Sequence, residues 1–264
     1  MMGSVLQGKC ALITGSTQGI GWAGARRFAA AGCNIALHGF GVPAATEAAR
    51  AALEEEHQVR AIYCGADLNH PEQIEAMIRQ TEHAFGAIDI LVNNAVVRHS
   101  APVEQFPPKK WDEAIAVNLS AAFHTIRLAL PGMRSRNWGR IINVSSIYAS
   151  RGAADRVGYV TTKTALLGLT RAVALEVLGQ EITCNAICPG TVPTPAHEST
   201  MQTMMTSEGL SRAEAEQRFL AGKQPSGRFI RGEDVAALML FLCAPESRDI
   251  NGAALPIDGA WSVR

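Results

Sequence analysis

The segment TGSTQGIG, residues 14–21, follows the apolar run CALI and precedes a helical pattern, and it constrains the fold more than any other feature of the chain. A strand apolar on both faces has to be buried between two layers. Glycines at 15, 19 and 21 allow a sharp turn out of that strand and a close start for the helix that follows. Reading outward gives a strand over 10–14, a helix over 19–31 and a second strand over 34–39, which is one βαβ unit.

The same punctuation continues. Strands are expected over 60–64, 88–93, 139–145, 181–187 and 253–257, separated by helical stretches such as 71–85, 111–130 and a segment around 234–242. Compact runs such as IDILVNN and GRIINVSS suit strands covered on both faces. The expected class is α/β, a doubly wound Rossmann-like parallel sheet, with residues 1–264 forming one domain. The interval 191–223 breaks the alternation: a turn-rich start leads into one or two amphipathic helices, read as a substrate lid, with a surface insertion or subunit contact as the plainer alternative.

Charge excludes some partners. The chain has 24 Lys and Arg against 24 Asp and Glu, so composition offers no basic surplus for nucleic acid or an anionic membrane. The opening residues lack a charged segment followed by an apolar signal core, and no long charge-free apolar run follows, which makes the cytoplasm the expected compartment. Cys10, Cys33, Cys64, Cys184, Cys188 and Cys243 form no CxxC or zinc pattern and read as buried thiols. His99 and His197 are not spaced as metal ligands, so no metal is expected.

A glycine-punctuated turn after a buried strand is suited to a dinucleotide, whose pyrophosphate meets the amides of the new helix. Gly15, Thr17, Gly19, Ile20 and Gly21 are the candidates. The next strand ends in HGFG, with neither an acid for the ribose nor an adjacent arginine for an extra phosphate, which favours NAD over NADP. Phe40 is placed by the adenosine or serves as an apolar shoulder, and Asp67 and Leu68 contact adenine unless Asp67 merely caps its loop. Asn93, Asn94 and Ala95 follow an apolar strand where the nicotinamide half crosses the sheet, and Pro189, Gly190, Val192 and Thr194 lie on the turn beside it, Thr194 donating to the cofactor or capping the turn.

Tyr159 and Lys163 sit one helical turn apart, so the ammonium can favour a phenolate without blocking it. A phenolate beside an alcohol can take its proton as carbon gives up hydride. Ser146 can hydrogen-bond the reacting oxygen, and Asn118 can help hold a water beside Lys163.

As a combination, TGSTQGIG, the NNA sequence at 93–95, Asn118, Ser146 and YVTTK resemble the short-chain dehydrogenase/reductase family over the whole chain. The resemblance implies that Asn118, Ser146, Tyr159 and Lys163 form the catalytic group; Val96 replaces a glycine common after NNA. Within the family, HGFG, HSAPVEQFPPKKWDEAIAVNLSAAFHT, CNAICPG, GKQPSGRF and DGAWSVR are similar to bacterial D-3-hydroxybutyrate dehydrogenases. That implies NAD, a homotetramer and interconversion of 3-hydroxybutyrate and acetoacetate. The substrate-facing positions depart from that group. Arg98 stands for its glutamine, Tyr148 for its histidine, Arg156 for its lysine, Thr191 for its tryptophan and Thr200 for its lid glutamine, while Trp261 keeps its final tryptophan. Two guanidinium groups favour a carboxylate. The main expectation is a small hydroxy or oxo acid, 3-hydroxybutyrate or a more polar analogue; the alternatives are a neutral polyol or cyclic alcohol, and a nucleotide-binding protein without turnover.

Overall fold

The structure, a computed structural model, describes residues 6–264; the start of the opening segment, read above as lacking a targeting signal, lies outside the described residues. Seven parallel strands form one sheet in the order β3-β2-β1-β4-β5-β6-β7. They are β1 (Cys10–Ile13), β2 (Asn34–His38), β3 (Ala61–Cys64), β4 (Ile90–Asn93), β5 (Gly139–Val144), β6 (Ile182–Pro189) and β7 (Ala254–Ile257). Because the chain begins in the middle, winds out to β3 and returns to β4 beside β1, a crevice opens at the carboxyl ends of β1 and β4, where doubly wound sheets bind ligands.

Strand alternation divides the core into two layers. Ala11 and Ile13 of β1 pack with Ala25 and Phe28 of α1 (Gly19–Ala30) and with Val235 and Met239 of α9 (Gly232–Phe241). Leu12, between them, points to the opposite face, with Ile74, Met77 and Ile78 of α3 (Pro71–Phe85) and Ile126 and Ala129 of α5 (Ala121–Ser135). Both faces of β1, β4, β5 and β6 are buried, which is why their sequences are apolar without alternation. All six cysteines are free and buried, as expected.

Differences from expectation are at the margins. A helix not singled out from the sequence, α2 (Pro43–His57), connects β2 to β3; Pro43 opens it and Gln58, left-handed at φ 55°, ends it. β6 runs on to Pro189 because its end pairs with β7, Pro189 opposite Ile257. The helix expected over 111–130 spans Pro108–Ser135: α4 (Pro108–Ile115), a π-helical turn at Ala116–Ser120, and α5. Among the described residues this is the one helix long and apolar enough to cross a membrane, with a mean hydropathy of 1.2, but it is a core helix: Ala122, Thr125, Ile126, Ala129 and Met133 are buried against the protein. The lid consists of two helices, α7 (Pro195–Glu208) and α8 (Arg212–Leu220), tied together by ion pairs of Arg212 with Glu198 and of Arg218 with Glu208.

Candidate active site

A cleft of about 1110 Å³ lies over the carboxyl ends of the strands. Its nucleotide end is set by the glycine turn. Gly15 has φ +63°, which only glycine adopts freely, and a Cβ there would lie 2.9 Å from Ala95 Cα. Gly21 does not line the cleft; it lies beneath, where a Cβ would stand 2.2 Å from Gly15 O. Gly15, Thr17, Gly19 and Ile20 all border the cleft. The backbone therefore leaves room for a pyrophosphate where an ordinary side chain would fill the turn, and a dinucleotide fits the residues present.

Two side chains that the sequence reading passed over hold this turn. Thr14 Oγ1 accepts from the amides of Asn94 (2.9 Å) and Ala95 (3.0 Å), and Asn94 Nδ2 donates to Thr14 O and Gly15 O, both at 2.9 Å. Asn94 thus lines the cleft and also ties β4 to the glycine turn, whereas the adjacent Asn93 is turned inward, donating to Asn143. His38 is buried at the end of β2; its Nδ1 accepts from the Gly15 amide at 3.0 Å, so its proton resides on Nε2, 2.8 Å from Ala66 O. Burial holds this imidazole below its usual range, opposed by the bond to Ala66 and the charge of Asp67. A histidine in a pattern shared with glycines and a phenylalanine gave no signal of this role beyond its position at the strand end.

Phe40 borders the cleft and is 70% exposed, so it is a free apolar shoulder in this structure. Asp67 and Leu68 border it too; Asp67 Oδ1 accepts from the Asn69 backbone (3.0 Å) and side chain (2.8 Å), which holds the carboxyl below the usual range, so Asp67 caps its loop while still lining the cleft. Pro189, Gly190, Thr191, Val192 and Thr194 form the wall opposite. Thr194 caps α7 by accepting from the His197 amide at 3.2 Å, leaving its hydroxyl proton to donate.

The reacting end is built on β5 and α6 (Val157–Glu176). Lys163 Nζ donates to Val144 O at 2.7 Å, and Ser145 Oγ donates to Lys163 O at 2.8 Å, so strand and helix are fastened at the lysine. Lys163 is buried and its ammonium lies 5.8 Å from the centre of the Tyr159 ring. Burial pulls the lysine down to about 8, resisted by Tyr159. For Tyr159, burial alone would raise the phenol, but the charges of Lys163 and Arg98 and hydrogen bonding from Ser146 and Arg98 leave it below its ordinary range. Asn118 is brought close but does not line the cleft. In the π-helical turn, it accepts from the Val97 amide at 2.8 Å and donates to Val97 O at 3.0 Å, pinning the loop that carries Arg98.

Arg98, Tyr148, Arg156, Thr191, Thr200 and Trp261, the substrate candidates read from the sequence, all line the same cleft, together with His197, Phe219 and Lys223 from the lid and its exit. Three aromatic rings form a wall: Trp261 meets Tyr148 edge to face at 5.4 Å, and Tyr148 meets Tyr159 at 6.2 Å. Arg151, not singled out before, donates to the main-chain oxygens of Trp261 and Arg264 and so holds the tail that carries this indole. Among the described residues, no group of His, Cys, Asp or Glu is arranged to hold a metal ion.

A family profile described as Enoyl-(Acyl carrier protein) reductase matches residues 15–262, nearly the whole chain. The D-beta-hydroxybutyrate dehydrogenase of Cupriavidus necator is 43% identical over 258 residues, 97% of this chain and 99% of that one. The chain belongs to the short-chain dehydrogenase/reductase family. Among solved structures, L-sorbose reductase from Gluconobacter frateurii, complexed with NADPH and L-sorbose, superposes with a TM-score of 0.92 at 32% identity, covering 99% of this chain and 98% of that one. Levodione reductase superposes at 0.85 and 30% identity, covering 97% and 98%. This member of the family is a catalytically competent NAD(P)-dependent oxidoreductase acting on a small hydroxy/oxo or polyol/cyclic substrate. Between the substrate classes weighed from the sequence, the comparisons favour the neutral polyol or cyclic compound over the hydroxy acid, and the solved neighbour with a named cofactor carries NADPH rather than NAD.

Proposed function

We propose that the enzyme interconverts a small neutral polyol or cyclic alcohol and its ketone, with Tyr159 as the proton carrier. The observation that carries this reading is the aromatic wall of Trp261, Tyr148 and Tyr159, which offers ring faces and two hydroxyls to a ring or polyol carbon chain. The likeness to L-sorbose reductase and levodione reductase supports it.

A nicotinamide cofactor in the cleft supplies the acceptor or donor of hydride at the substrate carbon. In the oxidation direction, the ionised Tyr159 oxygen takes the proton of the substrate hydroxyl as its carbon becomes a carbonyl; in reduction the neutral phenol returns it. Ser146 donates to the reacting oxygen and keeps it in line. Lys163 stabilises the phenolate, and Asn118 fixes the Val97–Arg98 loop at the mouth. NAD is the proposed cofactor. The end of the cleft formed by His38, Gly39, Phe40, Asp67, Leu68 and Asn69 has no lysine or arginine for a 2′-phosphate; the cleft's cations Arg98, Arg156, Lys163 and Lys223 are gathered at the reacting end.

A hydroxy acid is the second reading, favoured by Arg156 and Lys223 on the cleft wall and by the Cupriavidus relative's name. A homotetramer in the cytoplasm completes the proposal. It is supported by Leu175 and Leu178, 69% and 68% exposed on α6 and just beyond it, an apolar patch suited to a second copy, and by six reduced thiols.

The test is reduced-nicotinamide absorbance with NAD and NADP against polyols, cyclic alcohols, D- and L-3-hydroxybutyrate and hydroxy diacids. Turnover of neutral substrates with NAD is expected. Turnover confined to acids refutes the neutral reading, and turnover confined to NADP refutes the cofactor reading.

A further inference from the structure

We propose that Arg98 is a second catalytic residue, a guanidinium that stands over the Tyr159 ring and favours its ionised form alongside Lys163. The inference rests on Tyr159 being the proton carrier, and it gives Arg98 a task other than pairing with substrate.

Geometry supports it. The Arg98 guanidinium carbon lies 5.3 Å from the centre of the Tyr159 ring, nearer than the Lys163 ammonium at 5.8 Å. The loop that carries it is fixed, since Val97 is held by Asn118 through both its amide and its carbonyl. Among the described residues no carboxylate forms an ion pair with Arg98. Of the acids lining the cleft, Glu113 is engaged 2.6 Å from Lys110 and Asp67 accepts from Asn69.

Two cations near one phenol have a physical reason. Lys163 is buried and lowered to about 8, by burial first and by the charge of Arg98 as well, against the pull of Tyr159, so the two cations share the phenolate rather than one supplying all of the charge. A guanidinium stays charged throughout. The other groups facing this phenol do not supply that charge. Ser146 and Tyr148 come from the segment after β5, and Tyr148 is itself raised by burial. Cys188 of β6 acts on Lys163 and is raised by burial, with Asp258 raising it further. From the lid side, His197 is lowered by burial and by Arg98, Lys223 and Arg156, so near neutral pH it is uncharged. Arg98 itself is open to the cleft, and water screens its charge. Its effect is therefore modest in the open cleft and grows when ligands displace that water.

The proton bookkeeping is simple: the Tyr159 oxygen alone gains or loses the proton, and Arg98 keeps all of its own. The experiment compares Arg98→Gln and Arg98→Lys with the parent enzyme in two readouts. One is the pH profile of kcat/KM for oxidation of a neutral alcohol and of 3-hydroxybutyrate, using whichever is turned over. The other is the ultraviolet difference titration of the cofactor-free protein, subtracting Tyr159→Phe; with only three tyrosines in the chain, the signal is assignable. For Arg98→Gln the acid limb and the Tyr159 titration are expected to move up together by about half to one pH unit, a roughly three- to tenfold lower rate on that limb, and Arg98→Lys is expected to restore much of the shift. An unmoved limb and titration in Arg98→Gln overturn the proposal, including the case where only the KM for acids rises. If Tyr159→Phe retains turnover, the functional reading fails separately, and the cofactor-free titration still decides the role of Arg98.

Discussion

Removing the His38 ring tests whether the glycine turn is held by a neutral imidazole. His38→Leu deletes the acceptor for the Gly15 amide and the donor to Ala66 O, leaving two part-buried main-chain groups without their partner. Water reaches part-buried groups and offsets some of the penalty, so the expected loss is about 1–3 kcal/mol in all, with weaker cofactor binding because Gly15 is where the pyrophosphate would rest. The pH dependence carries the sharper test. Burial depresses His38 in the folded protein, so the unfolded chain binds more protons. Its contribution is therefore fully present above the unfolded value near 6.5 and is lost as pH falls below it toward the folded value. Below the unfolded value a histidine that stays neutral in the fold loses stability relative to the unfolded chain with each step down in pH. His197 is depressed too and acts in the same sense, so the quantity to measure is the difference between parent and His38→Leu. Urea unfolding of the cofactor-free proteins at several pH values from 5 to 8 supplies it. The gap is expected to narrow as pH falls below 6.5; a gap that is constant over that range refutes the assignment of a neutral, Nε2-protonated His38.

Gly21→Ala places a methyl 2.2 Å from Gly15 O and 2.8 Å from Ser16 Cα, both backbone, so the turn must open at a cost of about 1–3 kcal/mol; calorimetric titration is expected to show NAD affinity reduced roughly tenfold or more. Asn118→Ala leaves the Val97 amide and carbonyl unpaired and frees the Arg98 loop, so kcat is expected to fall while NAD affinity, measured by the same titration, stays near the parent value. Arg151→Ala releases the main chain at Trp261 and Arg264; steady-state kinetics are expected to show a several-fold higher KM for substrate with the acid limb of the pH profile unchanged, because Tyr159 keeps its own partners.

The sheet was legible because its signals are local. CALI, IDILVNN and GRIINVSS are apolar on both faces, and only strands buried between helix layers need that. The strand order follows from the crossovers, given right-handed connections and a glycine turn at the first one. What local pattern missed was set by distant partners. β6 extends to Pro189 only because Ile257 pairs with it, and the helix begun near residue 111 continues through Pro131 because its apolar face is covered by α3 and the sheet. The α2 helix, rich in alanine and glutamate with little apolar periodicity, buries just Thr46 and Leu53 and so left a faint trace.

At the site, residue type pointed to Tyr159 and Lys163 as the proposed reacting group, but a side chain's task depends on where its atoms point. Tyr159 and Lys163 are one helical turn apart in any helix, so their meeting was implied by spacing. Asn118 and Arg98 were not so constrained. An asparagine in a helix is able to hold a water, pack or reach a neighbouring loop, and here the π-helical turn aims it at the Val97 backbone. An arginine after β4 suits a carboxylate, yet once Asn118 fixes its loop the guanidinium stands over the phenol. The same four-residue neighbourhood thus couples the part of the chain that was predictable, the Tyr159–Lys163 pair, to the part that was not. Substrate charge cannot be inferred from counting arginines in such a cleft, because a cation already facing an ionisable phenol has less to offer a second anion. That argument lowers the weight of Arg98 as a carboxylate ligand and leaves Arg156 and Lys223 as the cations whose substitution separates acid from neutral substrates.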